Sequence, residues 1–111
     1  MRPGQLILNE LERAILQHLA PQLPELTSVI PKLHVLSREF TDVGSFTHFC
    51  CDEVIDGAST PIVLLEPINI PGIKSGLGAA LFFEDGKVRV LEFFAFGDET
   101  WDGLFDGFSI G

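Results

Sequence analysis

The chain has no tyrosine, one tryptophan and one methionine, and only two cysteines and three histidines in 111 residues. Each shortage removes a class of answer. Cys50 and Cys51 are adjacent, too close for an ordinary unstrained disulfide and too few for a disulfide framework. No paired CxxC or HxxxH motif supplies the ligand pairs of a structural zinc site. Basic side chains are scarce, 7 Lys and Arg against 16 Asp and Glu, so the net charge is −9. That surface repels phosphate backbones and anionic lipid, which argues against nucleic-acid and membrane-surface partners. No apolar run approaches the length of a membrane span, and no secretory leader precedes the cysteines, so a reducing cytoplasm is the expected compartment.

What is abundant is phenylalanine, ten residues in a chain that is 46% apolar. Phe gives a core bulk without a hydroxyl that would need a buried partner. The length suits one domain, residues 1–111, with a core of its own and no need of a metal or disulfide staple.

The plainest local signal lies between Gly78 and Gly97. Two runs rich in Phe, Val and Leu flank Asp85-Gly86, a dipeptide suited to the positive φ angles of a type I′ turn. A two-residue turn sets Glu84 opposite Lys87, Phe83 opposite Val88, Phe82 opposite Arg89 and Leu81 opposite Val90. Residues Gly4 to Leu19 have helical spacing: Leu8, Leu11, Ile15 and Leu19 form a stripe with Ile7 and Ala14 beside it. Glu10, Glu12, Arg13 and Gln17 are expected to face away, and Pro21 stops the helix near Ala20. Pro21, Pro24 and Pro31 mark a connector holding one helical turn around Glu25 to Val29. Strands are expected at Leu33 to Thr41, Ser45 to Val54, Pro61 to Ile70 with a bend at Pro67, and Phe105 to Ile110. Pro71 to Gly78 has the composition of a glycine-rich link. Asp98 to Asp106 mixes acids with Trp101, Leu104 and Phe105, the composition of an ordered acidic edge.

One helix followed by about five or six strands implies an α+β fold, the N-terminal amphipathic helix packing on a mostly antiparallel sheet. This pattern is similar to cystatin-like or NTF2-like architecture, a likeness that transfers no function. The runs SREFTDVGSFTHF (Ser37 to Phe49) and EDGKVRVLEFFAFGDETW (Glu84 to Trp101) resemble a family of small, functionally uncharacterised bacterial proteins. The resemblance implies a fold and no catalytic residues. Asp42 and Ser45 depart from the Gly and the apolar residue expected in relatives.

Few side chains point to chemistry. His48, Cys50 and Asp52 alternate on one strand face and Cys51 and Glu53 on the other, but ligands along a straight strand seldom converge on one ion. Two buried, unreactive cysteines are the favoured reading, with no metal and no cofactor. Gly72, Gly76 and Gly78 lead into a strand rather than a helix N-terminus, which removes the phosphate-loop reading. The two-residue register sets Glu92 among Ala79, Leu81, Phe83, Val88, Val90, Phe94 and Phe96. A carboxylate there needs a partner, water or a proton. A salt bridge to Arg38, or to Arg89 across a bulge, is favoured over a pocket acid.

The leading expectation is therefore a protein-interaction or binding module without catalysis, acting as a homodimer or with a protein partner. The alternative is a small-molecule pocket protein or enzyme with Arg38, His48 and Glu92 in one cleft. An immunity or antitoxin-type protein ranks lower.

Overall fold

The computed structural model describes residues 7–111. The expected helix start at Gly4 to Leu6 lies outside those residues. Within them, helix α1 runs Glu10–Leu19, later than the hydrophobic stripe predicts. The reason is a capping box. Asn9 accepts from the Glu12 backbone N–H (2.8 Å) and the Glu12 carboxylate accepts from the Asn9 N–H (2.9 Å), which fixes the first turn. Ile7 therefore stays exposed ahead of the helix. A 3-10 turn at Ala20–Gln22, the short helix α2 (Leu26–Val29) and a second 3-10 turn at Ile30–Lys32 make up the proline-marked connector.

Seven strands follow: β1 His34–Thr41, β2 Gly44–Cys50, β3 Ile62–Val63, β4 Ile68–Ile70, β5 Ile73–Glu84, β6 Lys87–Ala95 and β7 Ser109–Ile110. The fold class is α+β, as expected, with the helix packed on a sheet whose described pairings are all antiparallel. Strand order is β1-β2-β6-β5-β4-β7, with β3 pairing β5 off that path. The count exceeds five or six because the Pro61 to Ile70 segment splits into β3 and β4 around Pro67, which has no N–H to give a ladder.

The Asp85-Gly86 turn closes the β5–β6 hairpin with both residues at positive φ, 53° and 77°, as a type I′ turn requires. Glu84 pairs with Lys87 and Phe83 with Val88, as expected. Beyond them a bulge at Arg89 overturns the two-residue register: Phe82 pairs with Val90 and Leu81 with Leu91. The consequence is a change of face. Leu91 and Phe93 enter the core, whereas Val90, Glu92, Phe94 and Phe96 point to the other side. A second bulge between Val35 and Ser37 does the same in β1, bringing Arg38 and Phe40 to the helix side. Pro71 to Gly78 is not merely a link, since β5 already begins at Ile73. A side chain at Gly78 would collide with the rings of Phe94 and Phe96, so this glycine leaves the surface on which those rings lie.

The core sits between the helices and one sheet face. Leu11, Ile15, Leu16, Leu19 and Leu26 meet Val35, Phe49, Leu77, Leu81, Leu91 and Phe93 there. The Asp98 to Asp106 stretch is ordered, as its composition implies. Trp101 is buried, its backbone N–H bonds Asp42 O (2.9 Å), and its indole N–H donates to Leu104 O (2.7 Å). Glu99 accepts from the backbone N–H groups of Lys74 and Ser75, both at 2.7 Å, and these bonds hold its carboxyl below its ordinary pKa.

Candidate functional site

The paired strands read as rows across the sheet. On the helix side the rows are Arg38–Thr47–Leu91–Leu81 and Phe40–Ser45–Phe93–Ala79. On the opposite side they are Ser37–His48–Val90–Phe82, Glu39–Phe46–Glu92–Ala80 and Thr41–Gly44–Phe94–Gly78. The alternative cleft is thereby corrected. Arg38 lies on one face, His48 and Glu92 on the other, because the bulges in β1 and β6 reverse the sides that simple alternation assigns.

Arg38 instead meets Glu12, which the helical stripe places outward and the structure places at 1% exposure. Arg38 Nε donates to Glu12 Oε2 (2.8 Å) and Nη2 to Oε1 (2.7 Å), a two-pronged pair. The Thr47 hydroxyl donates to Oε2 (2.6 Å), and Nη2 also reaches Ile7 O (2.8 Å). Burial raises the Glu12 pKa, but the bonds from Arg38, Thr47 and the Asn9 backbone outweigh it and hold the carboxyl below its ordinary value. The bonds to Glu12 in turn raise the Arg38 pKa above its ordinary value. Asn-x-x-Glu at the helix start was the available sequence signal. It turns Glu12 back toward the cap, and from there toward the sheet.

Beside this pair lies a cavity of about 300 Å³ between the start of α1, the sheet and the C-terminal segment. Phe40, Phe93, Trp101 and Phe105 form its walls, and Arg38 and Ser45 give it polar groups. Trp101 meets Phe93 and Phe40 edge to face, with ring centroids 6.0 and 6.5 Å apart.

The opposite face has a different character. Phe46, Phe82, Val90 and Phe94 are half-buried there and Phe96 is exposed, with Phe94 and Phe96 edge to face at 5.6 Å. Both helices pack on the other side of the sheet. Glu92 stands amid this apolar area between Phe46 and Ala80, half-buried, with no ion-pair partner among the described residues. His48 Nε2 is bonded to the Glu39 carboxylate on the same face. Arg89, at the bulge, reaches Glu84 (3.5 Å) and Cys51 O (3.3 Å).

The cysteines are both free, but only Cys51 is buried; Cys50, one residue earlier on the strand, points out and is exposed. The reading of two buried cysteines is thus half corrected. Among the described residues no group of three or more His, Cys, Asp or Glu is placed to hold a metal ion. No helix of the described residues is long and apolar enough to cross a membrane. Compared with protein-family models, curated proteins and solved structures, the chain matches none.

Proposed function

We propose that this protein is a non-catalytic interaction module that works as a homodimer through the open sheet face. The observation that carries the reading is the aromatic area of Phe46, Phe82, Phe94 and Phe96, on the side of the sheet away from the helices. Leaving it in water costs about 25 cal/mol per Å² of apolar surface. A second copy fits the charges as well. Along β6, Lys87 and the bulged Arg89 lie toward the turn, and Val90, Glu92 and Phe94 follow on the open face. A two-fold axis near the middle of β6 sets Arg89 of each chain beside Glu92 of the other. The Glu92 carboxylate then gains a cation that no described residue gives it within one chain.

Size sets the strength. With strands about 4.8 Å apart and a rise of about 3.3 Å per residue, four strands of about six residues give roughly 400 Å² of plane. A stable interface buries about 800 Å² per partner, so the contact is a reversible one, sensitive to concentration. The −9 charge on each chain opposes larger assemblies and phosphate-bearing partners. The free Cys50 and Cys51 thiols support a reducing, cytoplasmic setting, and the resemblance to small bacterial proteins supports a bacterial one.

Light scattering on a dilution series tests this directly. The mass is expected to rise from one chain toward two as concentration reaches hundreds of micromolar, and Phe82→Glu is expected to hold it at one. A one-chain mass for the unaltered protein at every concentration rejects the dimer.

A further inference from the structure

The cavity on the helix side is separate from the proposed dimer face, which lies across the sheet. We propose that this cavity is a binding site for a small, neutral aromatic molecule carrying a carbonyl acceptor, of the aromatic-amide class.

Three observations support it. Aromatic rings wall the cavity: Phe93 and Trp101 inside, Phe40 at 60% exposure on the rim. Flat π-surfaces at this spacing favour a flat guest, and a volume of about 300 Å³ lies at the small end of ligand cavities. The second observation is Ser45. It is only 4% exposed, lines the cavity, and its hydroxyl has no hydrogen-bond partner among the described residues. No buried polar side-chain atom of the described residues is left without a partner, so this hydroxyl is open to the cavity and free to bond a guest acceptor or donor.

The third is the arithmetic of the Arg38 donors. Nε and Nη2 are used on Glu12 and Ile7 O, whereas Nη1 has no acceptor among the described residues. A carbonyl oxygen can take that donor. A carboxylate is the poorer guest, because the Arg38 charge is already matched by Glu12 and a second anion would sit beside the first. Neutrality is therefore part of the specificity, and the protein's −9 charge adds to it.

Trp101 is the single tryptophan, there is no tyrosine, and the indole lines the cavity, so the intrinsic fluorescence comes from a ring in the proposed site. The matched pairs benzamide and benzoate, and nicotinamide and nicotinate, separate neutral from anionic guests. Titration is expected to give a saturable Trp101 signal in the millimolar range for the amides, with the acids at least tenfold weaker. Amide NMR shifts should cluster at Ser45, Phe93 and Trp101. Ser45→Ala is expected to weaken the amides several-fold while leaving the melting temperature equal or higher, an outcome that a purely structural hydroxyl would not produce. Acids that bind as well as amides, shifts centred elsewhere, no saturable binding up to the solubility of the amides, or undiminished binding by Ser45→Ala would each overturn the proposal.

Discussion

The same four strands build two unlike faces. On the helix side Val35, Thr47, Leu81, Leu91 and Phe93 are sealed under the helices, and the Glu12 carboxylate buried there has its oxygens met by Arg38, Thr47 and the Asn9 cap. On the other side, residues one position along stay half-open, and Glu92 sits among phenylalanines without a counter-ion in the described residues. A polar group that is buried and satisfied belongs to folding. One that is half-buried among aromatic rings, with no ion-pair partner among the described residues, is where the proposed contact between two copies would act.

The contrast implies that damage to the helix side shows in stability and damage to the open side shows in association. The largest effect is expected from Arg38→Met, which strands the Glu12 carboxylate. Loss of one partner of a buried pair costs about 3–5 kcal/mol, read by chemical denaturation. Glu12→Gln should cost less, because an amide leaves no buried charge.

Next is Gly86→Val at the hairpin turn, where φ is 77° and a Cβ would lie 2.9 Å from Ile55 O. Strain of this kind costs about 1–3 kcal/mol, and Gly86→Asn should recover part of it because asparagine tolerates the left-handed region.

The buried pair also sets a pH dependence. Folding holds the Glu12 pKa below its ordinary value, so its contribution is fully present above the unfolded value and lost as pH falls through the folded one. Stability should therefore decline below about pH 4.5, with Glu99 acting in the same direction, and Glu12→Gln should flatten part of that slope. Thermal melts from pH 7 down to pH 2 measure it.

The smallest effect on folding is expected from Phe96→Ser on the open face. Removal of a ring that is already 38% exposed should change stability by only about 0.5 kcal/mol, yet weaken association measurably.

How much of this was written in the sequence divides along the same line. The hairpin turn, the α+β class, the ordered acidic edge and the approximate places of the longer strands follow from local chemistry: a dipeptide that accepts positive φ, prolines that interrupt ladders, and apolar alternation. The strand ends do not, since β2 stops at Cys50 and β7 holds only Ser109–Ile110. The faces do not. Each of two bulges, between Val35 and Ser37 and at Arg89, inserts a residue that alternation does not count, and everything beyond it changes side. That is why Arg38, His48 and Glu92 read as one cleft and fold as two faces. Glu12 was misplaced for a related reason. Helical periodicity assigned it to solvent by residue type, while the capping box and the Arg38 row opposite it determined its environment. Nothing in the local sequence around Trp101 or Ser45 brings the two together. They join the cavity only through long-range pairing, Ser45 with Phe93 across the sheet and the Trp101 backbone with Asp42.

The central claim is that the open face is where two copies meet, and exchange of its charges tests it most directly. Sedimentation velocity on the unaltered protein, Glu92→Arg, Arg89→Glu and the double variant gives four association constants. Each single change is expected to weaken dimerisation at least tenfold by setting like charges together, and the double change to restore it, because every contact is again between opposite charges. Dimerisation that ignores both single changes, or a double variant weaker than either, would contradict the account.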